Sequence, residues 1–112
     1  MIYFVYIMTN QRNTVLYIGV TNDIVRRSFE HKVKENKKSF TARYNCDKLI
    51  YYEEFGDIAE AIHREKQQKK YRRSWKRDLI TKMNADWKDL SEGWFDRREL
   101  EFAMILKIQD QQ

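Results

Sequence analysis

The chain has 112 residues and a formal net charge of +5, and 42% of its residues are hydrophobic, including seven Tyr, six Phe and three Trp. This composition suits one domain with a single core and excludes a disordered chain. The longest apolar run, residues 1–8, is too short to cross a bilayer, and the N-terminus lacks the pattern of a secretion signal. Cys46 is the one cysteine, so no internal disulfide can form, and we expect a cytoplasmic protein without a membrane partner.

Three segments have the pattern of β-strands. Residues 2–8 and 15–19 are joined by a polar turn, and the first of them is apolar on both faces, which indicates a central place in the sheet. Residues 48–55 alternate and are rich in tyrosine, which predicts the third strand.

Helices are predicted between and after these strands. Asn22 or Asp23 is suited to cap a helix that runs to about Lys34, and the polar residues 35–45 predict a loop. After the third strand, further helices are predicted that begin at Ile58 behind an Asp57 cap, near residue 75 and near residue 96.

Together these elements predict an α/β (α+β) fold, a small three-stranded sheet flanked by helices. Residues 1–90 would form this domain, and residues 91–112 would add a C-terminal helix that packs on it. The apolar residues expected to make that packing are Phe95, Leu100, Phe102, Ala103, Ile105 and Leu106.

Two tyrosines of the predicted hairpin can be placed on one face. If residues 10–13 form a four-residue loop, the strands pair so that Tyr6 lies directly opposite Tyr17. A shift of one residue would put the two side chains on opposite faces. Gly19 ends the second strand, where a glycine permits close approach of a ligand or another element.

The helix after the hairpin carries two residues suited to phosphate chemistry. Arg27 and His31 are four positions apart and share a helix face. The planar, always charged guanidinium of Arg27 can stabilise phosphate charge, and His31 can accept or relay a proton near neutral pH.

Glu65 is a carboxylate on a face that otherwise looks apolar, the stripe through positions 58, 61 and 62. A buried carboxylate needs a partner. That partner is either one Mg²⁺ or Mn²⁺ ion that keeps most of its waters, or a structural ion pair with Arg27 or a lysine. Spacing alone favours the ion pair.

The positive charge is concentrated in one stretch. Residues 64–82 contain nine basic and two acidic side chains, a net charge of +7, whereas residues 85–112 have a net charge of −3. The basic stretch is either a surface for a polyanion such as DNA or a solvated helix face. The residues expected to contact nucleic acid are Lys66, Lys69, Lys70, Arg72, Arg73, Lys76 and Arg77.

These motifs resemble those of the GIY-YIG nuclease superfamily, in particular its small, single-domain bacterial members. Phe4-Val5-Tyr6 stands where the family has Gly-Ile-Tyr, and Tyr17-Ile18-Gly19 matches its Tyr-Ile-Gly. Arg27, His31 and Glu65 follow in the family's order, and the resemblance covers residues 1–90.

The resemblance implies one divalent metal ion held by Glu65, the two tyrosines around an attacking water, and Arg27 on the scissile phosphate. Asn84 would correspond to a late asparagine of the family. Two departures are visible: Phe4 replaces the first motif glycine, and Val20 stands where repair-type members carry a lysine.

The sequence therefore predicts a metal-dependent DNA endonuclease, directed by DNA structure or damage or only weakly by sequence, and active as a monomer or weak homodimer. Its general base could be Tyr6, Tyr17 or His31. The alternative is a nucleic-acid-binding module accessory to DNA repair, with a weak or vestigial active site. In a third reading, the last helix is a dimer face of an interaction protein.

Overall fold

The computed structural model describes the backbone of residues 1–109 and the side chains of residues 1–106. Within this part of the chain, three strands and five helices follow in the order β1 (Tyr3–Thr9), β2 (Leu16–Thr21), α1 (Ile24–Lys32), α2 (Phe40–Arg43), β3 (Lys48–Phe55), α3 (Ile58–Lys70), α4 (Arg73–Met83) and α5 (Arg97–Gln109). None of these described helices has the length and hydropathy needed to cross a membrane.

The three strands form one antiparallel sheet in the order β2-β1-β3. The predicted α+β fold is therefore confirmed, and so is the central place of β1. The face with Val5 and Ile7 packs against α3 and α4 through Ala61 and Ile80. The opposite face carries Tyr6, with α1 packed over it.

The hairpin register differs from the predicted one by two residues. Tyr6 lies opposite Gly19, and Tyr17 lies opposite Met8. The turn is longer than predicted because the side chain of Asn10 binds the backbone N–H groups of Thr14 and Val15, at 2.8 and 3.2 Å. A shift of two residues preserves the face of every side chain, so both tyrosines still lie on the same side of the sheet.

Side-chain caps fix where the helices begin. Asp23 accepts a hydrogen bond from the backbone N–H of Arg26, and Asp57 accepts one from Ala59, so both predicted caps are confirmed. The predicted loop at residues 35–45 is wrong in one respect, since it contains α2, which is capped by Ser39.

The inward face of α3 also differs from the predicted stripe. Ile58 and Ile62 are exposed, whereas Ala61 and Gln68 are completely buried. Gln68 Nε2 donates a hydrogen bond to Glu53 on β3, at 3.0 Å. The stripe that includes Glu65 therefore runs through positions 61 and 68 and is partly polar.

The helix α5 is less covered than the sequence predicted. Phe95, just before it, packs against Phe29 of α1 with ring centroids 5.5 Å apart. Phe102, Ile105 and Leu106 are instead exposed, so the packing expected of these three is wrong. Residues 110–112 of the predicted C-terminal region lie outside the described residues.

Candidate active site

Three aromatic rings meet on the α1 side of the sheet. The ring centroids of Tyr6 and Tyr17 are 6.2 Å apart, and that of His31 lies 5.6 Å from Tyr6 and 5.7 Å from Tyr17. The Tyr6 hydroxyl and His31 Nε2 are joined by a hydrogen bond of 3.0 Å. The hairpin and the first helix thus bring three predicted site residues together, and Gly19 leaves the space that the Tyr6 ring occupies.

His31 has a second partner that sequence reasoning missed. Its Nδ1 is 2.8 Å from Oγ1 of Thr41, which is 3% exposed. Both ring nitrogens are therefore engaged, which fixes the orientation of the imidazole. Thr41 lies in α2, where the sequence predicted a loop, and nothing in its local pattern indicates this contact.

The protonation states of this cluster follow from burial. Desolvation, reinforced by the positive charge of Arg27, lowers the pKa of His31 to about 4, so the imidazole is neutral at pH 7. Burial and the neighbouring Tyr17 raise the pKa of Tyr6, and Arg27 only partly opposes this. A protonated phenol therefore faces a neutral imidazole, and it can donate its hydrogen bond to Nε2.

Arg27 lies on an open cavity of about 540 Å³ beside the aromatic cluster. Its Nε is 3.3 Å from Glu30 Oε1, and the Arg27 side chain is 41% exposed. The spacing of three residues on one helix is a signal from which the Glu30 partner could have been predicted. Tyr17, His31 and Phe40 line the same cavity. A ligand in it would meet the guanidinium and the tyrosine together.

Glu65 is paired with a lysine, one of the two partners that the sequence left open. Its Oε1 lies 2.7 Å from Lys69 Nζ, and its side chain is 18% exposed. Lys69 also lines a cavity of about 290 Å³ with Tyr17 and Phe40, which places the ion pair near the edge of β2.

The donor set around Glu65 fits only a weakly coordinated, hydrated ion. Among the described residues, no group of three or more His, Cys, Asp or Glu side chains could hold a metal ion. Mg²⁺ commonly binds proteins through one or two carboxylates and keeps several waters, so a single carboxylate suffices. Because Lys69 contacts Oε1, an ion there would bind Oε2 or take the place of the lysine.

The residues predicted to contact nucleic acid divide into arginines that make contacts within the protein and lysines that line a cavity or lie exposed. Arg73 and Arg77 donate hydrogen bonds to backbone carbonyls of the hairpin turn, at Thr14 and Asn13, and Arg77 also covers the ring of Trp87. The guanidinium of Arg72 similarly lies over a ring, that of Trp75. Lys69 and Lys76 line the cavity at β2, and Lys66 and Lys70 are exposed on α3.

Asn84 has a structural position. Its amide nitrogen donates to the carbonyl oxygens of Ile50 and Lys88, and its amide oxygen accepts from the backbone N–H of Lys88. The side chain is 8% exposed and ties the end of α4 to β3. Val20, at the position of the family's lysine, packs with the core on the α3 side of the sheet.

The described residues thus form a three-stranded antiparallel α+β domain with two tyrosines, a histidine and an arginine on one side of the sheet. The family described as the GIY-YIG catalytic domain matches residues 2–78, and the chain belongs to this family. A comparison with curated proteins gives no match.

The fold is also similar to a solved structure. The solution NMR structure of the UPF0213 protein BH0048 from Bacillus halodurans superimposes with a TM-score of 0.52 and 22% sequence identity. The alignment covers 83% of this chain and 98% of that chain. At this identity the likeness concerns the fold.

Proposed function

We propose that this protein is a metal-dependent endonuclease that hydrolyses DNA phosphodiester bonds. The observation that carries the proposal is the cluster of Tyr6, Tyr17 and His31 beside the cavity-lining Arg27. Membership of the GIY-YIG family supports the nuclease class. The site residues would supply the chemistry of the reaction as follows.

Arg27 would bind the scissile phosphate. Its guanidinium is charged at every relevant pH and can make two parallel hydrogen bonds to phosphate oxygens. The ion pair with Glu30 is open to solvent on one side, so exchanging it for a phosphate costs little free energy.

The proton of the attacking water would pass to the Tyr6–His31 pair. Tyr17 lines the cavity and would position the water, whereas Tyr6 is only 1% exposed and lies behind it. Both nitrogens of His31 are engaged, so the proton would move along the hydroxyl groups. The water would give a proton to the Tyr17 oxygen, Tyr17 would give its own to Tyr6, and Tyr6 would give its own to Nε2 of His31. A bound phosphodiester anion would offset the charge of Arg27, the smaller of the two causes that lower the pKa of His31, and would thereby raise that pKa.

Glu65 would hold the divalent ion, Mg²⁺ or Mn²⁺. When bound, such an ion supplies charge stabilisation for the leaving oxygen of the phosphodiester. Lys69 would then be released from Oε1 and could contact the DNA backbone, together with the exposed Lys66 and Lys70. Backbone contacts of this kind give salt-dependent binding with little sequence preference, as expected of a nuclease directed by DNA structure or damage.

Nicking of supercoiled plasmid in Mg²⁺ or Mn²⁺ tests the proposal. We expect Glu65→Ala, Tyr17→Phe and Arg27→Ala each to lower the nicking rate by at least tenfold, and EDTA to abolish nicking by the wild type. Glu60→Ala is the matched control, since Glu60 is an exposed carboxylate on the same helix as Glu65. If Glu65→Ala, Tyr17→Phe and Arg27→Ala all nick the plasmid as fast as the wild type, the assignment is excluded.

One observation favours a second function, a DNA-binding module accessory to repair with a vestigial site. The carboxylate expected to hold the metal is already neutralised by Lys69. This reading predicts salt-sensitive DNA binding in a gel shift, without metal-dependent cleavage of plasmid or of branched DNA.

A further inference from the structure

We propose that Phe40 and Tyr44 form a stacking platform for an unpaired nucleobase next to the scissile phosphate. The substrate would then be single-stranded DNA or DNA with a locally unpaired strand. This inference rests on the proposed function, which it extends from DNA in general to a class of DNA substrate.

The platform continues outward from the candidate site. The Phe40 ring stacks on Tyr17 with centroids 6.0 Å apart and an interplanar angle of 28°, and the Tyr44 ring lies 4.7 Å beyond Phe40. Phe40 is 46% exposed and Tyr44 is 44% exposed. Two neighbouring aromatic rings therefore keep open surface beside a tyrosine that lines the active-site cavity.

Hydrogen bonds fix the chain on both sides of Phe40. Thr41 is buried and hydrogen bonded to His31, and Ser39 caps the turn by accepting a hydrogen bond from the backbone N–H of Ala42. Phe40 is thus anchored on both sides. A fixed ring loses little conformational entropy when a base stacks on it.

Cationic side chains lie in both cavities that Phe40 lines. Arg27 lines the first, together with Glu30 and Glu35, and Lys69 and Lys76 line the second. Aromatic faces between cationic side chains are the combination by which proteins bind single-stranded nucleic acid, the rings taking the bases and the cations the phosphates. An apolar peptide would match the rings but would offer no anionic group to these cationic side chains.

The exposed rings select for unpaired bases. Within a duplex, both faces of each base are covered by neighbouring base pairs, so stacking on a protein ring requires a base that has left the stack. A phosphate on Arg27 would bring its adjacent nucleotide to the rings of Tyr17 and Phe40, which line the same cavity.

Fluorescence anisotropy in EDTA tests this without cleavage. The probes are a labelled single-stranded 16-mer of mixed sequence and the same strand in a duplex. We expect Phe40→Ala and Tyr44→Ala to weaken single-strand binding by about 5- to 150-fold, the range of one base–aromatic stack, with duplex binding nearly unchanged. Phe102→Ala is the matched control, because Phe102 is an exposed phenylalanine on α5, and it should change neither.

A fluorescent base analogue reports the stacking directly. In a single strand with one 2-aminopurine, binding of the wild type should quench the fluorescence, and saturating Phe40→Ala should quench it clearly less. Phe40→Trp, which keeps a stacking ring, should restore quenching. Thermal unfolding of each variant shows that it is folded.

Equal losses for single-stranded and duplex DNA, or no loss for either, would overturn the platform. Neither outcome bears on whether the wild type nicks plasmid in Mg²⁺, so the nuclease proposal would stand. Conversely, selective loss of single-strand binding in a protein that never nicks would support the platform and contradict the nuclease.

Discussion

The phenol of Tyr6 lies so close to Gly19 on the neighbouring strand that a Cβ atom at position 19 would fall 2.6 Å from the Tyr6 hydroxyl oxygen. The two residues face each other in the ladder. Because Gly19 has no side chain, the ring of Tyr6 can cross β2 and bring its hydroxyl to His31. The glycine of the Tyr-Ile-Gly motif is thus required by the geometry of the other tyrosine.

Substituting Gly19→Ala should therefore displace Tyr6. We expect a loss of about 1–3 kcal/mol in the free energy of unfolding, the usual cost of overpacking a core, together with a loss of nicking. Urea unfolding measures the first and the plasmid assay the second. Gly56→Ala is the control, since an added Cβ there meets nothing within 4 Å, and it should leave both unchanged.

The hairpin shows what strand patterns can predict. The prediction that both tyrosines share a face is confirmed although the predicted register is wrong, because a shift of two residues leaves every side chain on its face. The register itself depended on the turn, where the side chain of Asn10 takes up two backbone N–H groups. That kind of local hydrogen bond lengthens a turn without leaving a signal in the hydrophobic pattern.

Protonation of His31 provides a test that does not depend on activity. Burial and Arg27 lower its pKa to about 4, so NMR of the imidazole nitrogens should find a neutral ring at pH 6.5. In the unfolded chain the pKa is near 6.5, so the unfolded state binds the proton more readily. The contribution of the neutral His31 to the free energy of unfolding is therefore fully present above about pH 6.5, and it falls as the pH drops from there toward 4. His31→Asn should reduce this slope, and a native pKa near 6.5 would contradict the prediction.

Thr41 is expected to act by positioning His31. Thr41→Val keeps the shape but leaves Nδ1 without its partner, and we expect nicking to fall by about 10- to 100-fold as the imidazole loses its orientation. Thr41→Ser keeps the hydroxyl and should retain most activity.

A purely structural role for Thr41 would lower the unfolding temperature without changing His31 in the folded protein. The nitrogen spectrum separates these cases. For the wild type we expect the Tyr6 hydroxyl to donate to Nε2, with the ring hydrogen on Nδ1. Thr41→Val should shift that hydrogen or make it exchange between the two nitrogens.

The short helix that carries Thr41 shows why part of the site lay beyond sequence reasoning. Four residues are too few for a helical period, so α2 was indistinguishable from loop. The helix α2 contributes to the candidate site because the chain after α1 folds back over it. Phe40 then stacks on Tyr17, and Thr41 is hydrogen bonded to His31. The Glu65–Lys69 pair, by contrast, follows the spacing of four residues and was foreseeable as an ion pair on one helix.

The basic residues of α3 and α4 should differ in what they contribute. Lys66 and Lys70 are exposed, and removing either by substitution with Gln should reduce the slope of log K against log salt for duplex DNA by about 0.9, the effect of one phosphate contact. Arg77→Gln should leave that slope unchanged. It should instead lower the free energy of unfolding by about 1 kcal/mol, since Arg77 binds the carbonyl of Asn13 and covers the ring of Trp87. Salt titrations and urea unfolding of the three variants measure both quantities, and a reduced slope for Arg77→Gln with unchanged stability would show that this arginine contacts DNA.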